Sequence, residues 1–214
     1  MKKSIAVLGL GKYGKSLVEK LYKMGADVMA VDSDEEAVRE IAGKCTSGIC
    51  VNLENEREVA ALGLKNMDIV VSAIGHNLAA SITSVSVAKE QGVPLVIAKS
   101  SSDHMSSILK KVGADRIIDP EGEGGMRLAR ILISSSFKDF YEIDENMYVI
   151  ETQAKKEWIG KNLIELELRK SMGVNVIAYK EPDHHWHFVD PKRKITSDSV
   201  FLIAMERKDM EKWK

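Results

Sequence analysis

Three glycines, Gly9, Gly11 and Gly14, form a G-x-G-x-x-G motif directly after the first apolar run of the chain. The run, residues 5–8, has the composition of a buried strand, and residues 15–24 place their apolar side chains on one helical face. In this strand–turn–helix context, the first glycine permits a tight turn, the second admits a phosphate close to the backbone, and the third allows close helix–strand packing. The motif therefore predicts a Rossmann-type nucleotide-binding fold with an anion at the helix N-terminus.

Short apolar runs alternate with amphipathic stretches from residue 4 to residue 119, which is the pattern of β-α-β units in a parallel sheet. The runs are nearly continuous in aliphatic residues, as expected for strands that helices cover on both faces. The predicted strands are residues 5–8, 28–31, 49–51, 69–73, 95–98 and 116–118. Six strands are the full number of a Rossmann fold.

The pattern changes after Asp119, where PEGEGG leads into a long amphipathic stretch. Residues 121–139 are expected to form a crossover helix, and the polar residues 140–146 to form a hinge. Beyond the hinge, short apolar runs and one short helical stretch near residues 163–169 predict a small α+β lobe. The predicted domains are a nucleotide-binding domain over 1–120, the helix, and a C-terminal lobe over 140–214. The fold class is α/β, a Rossmann-type doubly wound parallel sheet with a small C-terminal α+β lobe.

Asp32 ends the second predicted strand, about 20 residues after the glycines, where a carboxylate accepts hydrogen bonds from ribose hydroxyls and disfavours the 2′-phosphate of NADP. Lys12 lies between the second and third glycines. On spacing alone, Lys12 is either a cation that balances terminal phosphates or a solvated lysine at a loop tip. These two residues give the predicted site its ribose contact and its candidate phosphate contact.

Further candidates lie at the ends of the later strands, because ligands of open α/β sheets bind beyond the carboxyl ends of the strands. Each of them also fits a role in a turn or a cap, and Asn77 is well placed as a helix N-cap. The expected nucleotide contacts are Gly9, Gly11, Lys12, Tyr13, Gly14, Asp32, Ser33, Asn52, Ala73, Ile74, Gly75, Asn77 and Lys99.

Composition and charge argue against several other classes of protein. The 31 Lys and Arg residues nearly balance the 32 Asp and Glu residues, so no overall field attracts nucleic acid or anionic lipid. Apolar runs are far shorter than the roughly 20 residues that span a bilayer, and the first run is too short for a signal peptide. We therefore expect a cytoplasmic protein, with Cys45 and Cys50 as reduced structural thiols rather than zinc ligands.

Catalytic groups are not evident in the sequence. A hydride-transferring enzyme needs a general acid or base beside the nicotinamide, and the C-terminal lobe offers no obvious one. Its histidines lie at positions 184, 185 and 187, in the stretch DHHWHF. This arrangement is more typical of a solvated hairpin tip than of a metal site. An NAD-dependent oxidoreductase stays as the alternative, since the glycines and Asp32 fit it too. A redox-sensing repressor would need a basic recognition helix, which the sequence does not show.

Three stretches of the sequence carry a resemblance to a known family: VLGLGKYGKSLVEKLYKMGADVMAVDSDEE, LGLKNMDIVVSAIGHNLAAS and ILKKVGADRIIDPEGEGGMRLAR. Over nearly its whole length the chain resembles the RCK-domain (regulator of potassium conductance) cytosolic subunits of bacterial Trk/Ktr-type potassium transporters. The resemblance implies a non-enzymatic gating subunit that is cytoplasmic and peripheral to the inner face of the cell membrane. The implied partners are a potassium-translocating membrane subunit of the TrkH/KtrB type and further copies of the chain. The copies would dimerise through the crossover helices and form an octameric ring. Nucleic acid is not among the implied partners.

The same resemblance implies the ligands. Ktr-like members bind ATP or ADP at the glycine loop, and Trk-like members often bind NAD(H). Lys12 stands where Ktr-like members carry an arginine that faces the γ-phosphate, so it keeps the charge and loses the bidentate fork. Lys99 matches a basic position near the nucleotide, and Glu121 matches a glutamate that helps bind Mg²⁺ or another divalent cation. The C-terminal positions concerned with cyclic di-AMP in some members correspond to Leu163, Ile164, Arg169, Asn175 and Pro191.

Overall fold

The computed structural model describes residues 2–133, 137–180 and 185–213. The chain divides into two compact units, residues 1–122 and residues 123–214. No helix in the described part of the chain is long and apolar enough to cross a membrane.

Parallel strands form the sheet of the first unit. They are β1 (Ser4–Leu8), β2 (Asp27–Asp32), β3 (Ser47–Cys50), β4 (Ile69–Ser72), β5 (Leu95–Lys99) and β6 (Arg116–Ile118). Their spatial order is β3-β2-β1-β4-β5-β6, and every neighbouring pair is parallel. This is the doubly wound order of the Rossmann fold, in which the order reverses between β1 and β4. The predicted fold class is confirmed.

Helices cover both faces of this sheet. They are α1 (Lys12–Lys23), α2 (Glu35–Ile41), α3 (Glu56–Ala60), α4 (Leu78–Glu90) and α5 (Asp103–Val112), with a 3-10 turn at Leu64–Asn66. Successive residues of β1 alternate between two cores, with Ala6 and Leu8 in one and Ile5 and Val7 in the other. Each core is closed by helices from one face, which explains why residues 5–8 of β1 are all apolar.

An antiparallel sheet forms the second unit. Its strands are β7 (Phe137–Glu142), β8 (Met147–Gln153), β9 (Val174–Lys180), β10 (Trp186–Phe188) and β11 (Val200–Glu206), in the order β10-β9-β11-β8-β7. Its helices are α7 (Leu163–Leu166) and α8 (Leu168–Met172), with 3-10 turns at Lys156–Trp158 and Arg207–Trp213. The core contains Phe140, Tyr148, Trp158 and Phe201. Helix α6 (Pro120–Ile133) contains the boundary between the two units.

Two boundaries differ from the prediction. Residues 140–142 were expected in a hinge and instead belong to β7, where Phe140 is buried. The crossover helix was expected over 121–139, which is too long, because residues 137–139 are also part of β7 and residues 134–136 lie outside the described residues. Both differences have one cause, the pairing of β7 with β8. The hydrogen bonds and packing that a neighbouring strand offers favour a strand here, although the acidic composition of the segment favours a loop.

Candidate nucleotide-binding site

A cleft of about 270 Å³ lies at the carboxyl ends of the first four strands, where the strand order reverses. The turns that follow β1, β2, β3 and β4 each contribute to its walls. The lining residues are Gly9, Gly11, Asp32, Ser33, Asn52, Leu53, Glu54, Ala73, Ile74, Gly75, His76, Asn77 and Ala80. A crevice at such a reversal point is the usual ligand site of an open α/β sheet.

Most of the residues expected to contact a nucleotide line this cleft. The nine are Gly9, Gly11, Asp32, Ser33, Asn52, Ala73, Ile74, Gly75 and Asn77. The other four are outside the lining: Lys12, Tyr13, Gly14 and Lys99. Sequence reasoning did not include Leu53, Glu54 and Ala80, although all three line the cleft. His76, a further candidate at the end of the fourth strand, lines it as well.

The three glycines have different structural roles. Gly9 has φ +100°, and its amide donates to the Val31 carbonyl oxygen at 2.8 Å. A Cβ on Gly14 would lie 1.9 Å from the Gly9 carbonyl oxygen, so Gly14 allows α1 to approach β1. Gly11 has φ −64°, and a Cβ there would meet no atom within 4 Å. Gly11 therefore leaves open space above the backbone, which is where a phosphate would lie.

The N-terminus of α1 is suited to an anion. Gly11 is the N-cap and makes no side-chain capping hydrogen bond, and the first turn contains no acidic residue. Lys12 is the first residue of the helix and is exposed, and it has no ion-pair partner among the described residues. The helix dipole, the uncapped backbone amides and this ammonium group all favour negative charge at this place.

Asp32 is oriented by backbone amides from two turns. The Leu10 amide donates to Oδ2, and the Asp34 amide donates to Oδ1 at 2.9 Å. A carboxylate has about four acceptor positions, so positions remain for ribose hydroxyls. The glycine loop and the end of β2 are thus joined through the same carboxylate that would bind the ribose.

Lys99 lies beside the cleft rather than in its lining. Its side chain is 10% exposed, and Nζ donates to Glu121 Oε1 at 2.6 Å. This hydrogen bond lowers the pKa of Glu121 from its ordinary value. Nζ also lies 5.8 Å from the centroid of the Tyr13 ring and close to Gly75, where a Cβ would be 3.1 Å away. Lys99, Tyr13 and Glu121 therefore form one group behind Gly75.

No group of three or more His, Cys, Asp or Glu side chains that could hold an ion occurs within the described ranges. Glu121 is hydrogen-bonded to Lys99, so a cation there would need further oxygen ligands from a bound nucleotide or from another copy of the chain. His184 of the DHHWHF turn lies outside the described residues.

A second cavity, of about 360 Å³, is a groove in the second unit. The lining residues are Leu163, Ile164, Glu167, Leu168, Arg169, Lys170, Val174, Asn175, Val176, Val189 and Pro191. All five positions expected to bind a ligand in the C-terminal lobe are among them. The helix expected near residues 163–169 is broken at Glu167, which has φ 42° and separates α7 from α8.

Comparisons with known proteins agree with this fold. The model of the TrkA-N domain family matches residues 5–120. Ktr system potassium uptake protein C of Bacillus subtilis (strain 168) is 36% identical over 180 residues, which cover 84% of this chain and 81% of that protein. Ktr system potassium uptake protein A of the same strain is 31% identical over 214 residues, which cover 99% and 95%.

Solved structures show the same fold at low sequence identity. The GsuK RCK domain has a TM-score of 0.69 and 13% identity over 99% of this chain and 46% of its own. The GsuK channel bound to NAD has a TM-score of 0.68 and 14% identity, with 98% of this chain and 38% of its own covered. This chain thus spans less than half of either GsuK chain. Together with the family match, these findings confirm the resemblance, and the chain belongs to the TrkA-N domain family that includes the Ktr potassium uptake proteins.

Proposed function

We propose that this chain is a non-enzymatic regulatory subunit of a bacterial potassium uptake system. An adenine nucleotide binds in the cleft of the first unit and changes the shape of a ring of subunits, which gates a membrane partner of the TrkH/KtrB type. The subunit would therefore act in the cytoplasm at the inner face of the cell membrane. The observation that supports this most directly is the cleft, in which an uncapped helix N-terminus and the carboxylate of Asp32 flank one cavity.

The charges around the cleft favour a nucleoside polyphosphate. Positive potential is concentrated at the N-terminus of α1, with Lys12 on its first turn and Lys99 behind Gly75. The turns after β2 and β3 carry the acids Asp32 and Glu54. ATP or ADP fits this polarity, and NAD(H) is the alternative ligand. The acids disfavour the additional 2′-phosphate of NADP.

A pair of lysines on one helix tests the phosphate contact. Lys12 and Lys23 are exposed residues at the two ends of α1. We expect Lys12→Ala to weaken ATP binding about fivefold and ADP binding less, because an exposed charge pair contributes roughly 1 kcal/mol. Lys23→Ala should leave both affinities unchanged. Isothermal titration calorimetry measures them, and equal effects of the two substitutions would refute the assignment of Lys12 to the terminal phosphate.

Gating requires that two nucleotides favour different shapes, because a ligand with equal affinity for both shapes shifts no equilibrium. Small-angle scattering of the full chain with ATP, with ADP and without ligand should therefore give different ring dimensions. Light scattering gives the number of subunits, which we propose to be eight. Identical dimensions under the three conditions would exclude gating by these nucleotides.

A divalent cation beside the phosphates is part of this proposal, with Glu121 as its protein ligand. Mg²⁺ is commonly held by one or two carboxylates together with nucleotide phosphates, and Glu121 has 65% of its side chain exposed. We expect Glu121→Gln to reduce the gain in ATP affinity that Mg²⁺ gives, while Glu123→Gln, two residues along α6, keeps it. An unchanged Mg²⁺ effect in Glu121→Gln would remove this residue from the site.

The groove of the second unit is proposed to bind cyclic di-AMP. Arg169 and Lys170 supply positive charge for two phosphates, and Leu163, Ile164 and Pro191 supply apolar surface for adenine rings. Calorimetry should give weaker binding to Arg169→Ala than to the wild type, with Lys156→Ala, an exposed lysine of the same unit, as the control. Equal affinity of the two variants for cyclic di-AMP would mean that this ligand does not bind beside Arg169.

An NAD-dependent oxidoreductase is the second candidate, because the glycines and Asp32 also suit a dinucleotide and His76 lines the cleft. An imidazole is the most frequent general acid or base in enzymes. The assay is the oxidation of NADH, followed at 340 nm over many turnovers with a panel of carbonyl compounds. Sustained oxidation that His76→Ala abolishes would replace the regulatory proposal with this one.

A further inference from the structure

The turn after β3 carries an acid, Glu54, whose side chain crosses the cleft to Asn77. Asn77 Nδ2 donates to Glu54 Oε1 at 2.6 Å. Asn77 is also the N-cap of α4, and its Oδ1 accepts a hydrogen bond from the Ala80 amide at 3.1 Å. Because Oδ1 is used by the helix, the NH₂ group must face Glu54. One carboxylate oxygen of Glu54 is therefore held in place, and the other remains an acceptor.

The turn that carries Glu54 is itself well fixed. The Glu54 amide donates to Asn52 Oδ1 at 3.0 Å, and the Asn52 amide donates to Glu58 Oε2 at 2.7 Å. Leu53, between them, is 5% exposed and belongs to the core of the first unit. The carboxylate of Glu54 thus extends from an ordered backbone. The binding free energy of a ligand is therefore not reduced by the cost of ordering this turn.

The strand order places Glu54 at the base end of a nucleotide. The glycine loop follows β1, Asp32 ends β2, and β3 pairs with the outer side of β2, with Asp32 opposite Cys50. Phosphates at the glycine loop and ribose at Asp32 therefore direct the base toward the turn after β3. At this end, Leu53 and Ala80 offer apolar surface to a planar ring.

We propose that Glu54 distinguishes a 6-amino purine from a 6-oxo purine in this cleft. The 6-amino group of adenine donates a hydrogen bond to the carboxylate oxygen that Asn77 leaves unoccupied. The 6-oxo group of hypoxanthine or guanine is an acceptor, so in the place of the amino group it would set two acceptors against each other. The inference rests on the proposed binding of an adenine nucleotide, and it assigns the choice of base to one side chain.

The test compares ATP with ITP, which differ at the 6-position and at the proton on N1. Both are titrated by calorimetry into the full chain at the same Mg²⁺ and salt concentrations. A hydrogen bond to a charged group predicts that the wild type binds ATP on the order of 10- to 100-fold more tightly than ITP. Glu54→Gln should bring this ratio close to one, because the amide can turn its NH₂ group toward a 6-oxo group.

Two further variants separate base selection from a general loss of structure. Glu56→Gln removes an equivalent exposed charge two residues away, outside the cleft, and should keep the wild-type ratio. Asn77→Ser keeps an oxygen that can cap α4 and removes the donor to Glu54, so it should lower the ratio. Both variants should melt near the wild-type temperature by circular dichroism.

The outcomes distinguish this inference from the proposed function. If neither nucleotide binds the wild type, the proposed adenine-nucleotide site is wrong and the assignment of Glu54 is lost with it. If both bind and the wild-type ratio is near one, or if Glu54→Gln keeps a wild-type ratio, only the role of Glu54 is refuted. A ratio that falls in Glu54→Gln and not in Glu56→Gln supports it.

Discussion

Asp139 is the carboxylate that we expect to contribute most to the stability of the second unit through charge. Arg127 Nε donates to its Oδ1 at 2.8 Å, and Arg127 Nη2 donates to Oδ2, so the pair is bidentate. The Tyr141 hydroxyl donates to Oδ2 at 2.7 Å, and the Phe140 amide donates to Oδ1 at 2.8 Å. The Arg127 guanidinium also lies 4.4 Å from the centroid of the Tyr141 ring. These contacts fasten α6 to β7 within the second unit.

The size of the effect follows from the pKa of Asp139. The hydrogen bond from Arg127, assisted by Tyr141 and the Phe140 amide, lowers this pKa from 3.8 to about 2. At 1.36 kcal/mol per unit, the shift corresponds to between 2 and 3 kcal/mol. Arg127 is 46% exposed and solvent weakens the pair, so we expect Asp139→Asn to lower the free energy of unfolding by about 2 kcal/mol at pH 7.

The pH dependence has a definite sign. A carboxyl group whose pKa is lower in the folded state stabilises the fold fully above its unfolded pKa, near 4, and loses this contribution as the pH falls through 2. The difference in stability between the wild type and Asp139→Asn should therefore be complete at pH 7 and should shrink between pH 4 and pH 2.

The tryptophans make this measurement specific. All three tryptophans, at positions 158, 186 and 213, belong to the second unit, so their fluorescence during urea unfolding reports on that unit. Asp198→Asn is the matched control, because Asp198 is exposed and, within the described part of the chain, accepts a single hydrogen bond of 3.5 Å. A loss below about 0.5 kcal/mol in Asp139→Asn, or an equal loss at pH 7 and pH 2.5, would refute the reasoning.

Three glycine substitutions give further predictions. Gly14→Ala should lower the free energy of unfolding of the first unit by several kcal/mol in circular dichroism, because the new methyl would lie 1.9 Å from the Gly9 carbonyl oxygen. Gly11→Ala should unfold like the wild type and bind ATP at least tenfold more weakly in calorimetry, since its methyl meets only the space a phosphate would fill. Gly173→Ala should destabilise the second unit by more than about 1 kcal/mol in tryptophan fluorescence, because Gly173 has φ +71° and a Cβ would lie 2.4 Å from the Asp209 carboxyl carbon. A wild-type stability for Gly14→Ala or Gly173→Ala, or wild-type affinity for Gly11→Ala, would contradict the corresponding assignment.

The parts of the cleft that the sequence predicted are those built from local geometry. Gly9 and Gly11 lie in one turn between a strand and a helix, and Asp32 is placed by the end of the next strand. Such positions can be predicted from spacing alone, because the connections are short and the same spacing recurs in folds of this class. The bounds of β5 and β6 were also predicted to within one residue for the same reason, since each is a single apolar run.

Glu54 was missed because its role depends on a contact that no spacing reveals. In the sequence it is one of three acids at positions 54, 56 and 58, around the start of a short helix, where acids are common for their effect on the helix dipole. Its partner Asn77 is 23 residues away, and the strand order brings the two turns together across the cleft. The break at Glu167 is a similar case. A non-glycine residue with φ 42° interrupts what the apolar pattern predicts as one helix.

The motif G-x-G-x-x-G contains two kinds of information, and only one concerns a ligand. Gly9 and Gly14 are required by the protein itself, since a Cβ on either would lie within 3 Å of the surrounding chain. A chain that bound nothing would still need Gly14 to pack α1 against β1, and Gly9 to form a turn with φ +100° beside Ala73 and Ile74. At Gly11 no protein atom would be crowded by a side chain, so the fold alone gives no reason for glycine there. The case for a phosphate therefore depends on Gly11 together with the uncapped helix end and the orientation of Asp32.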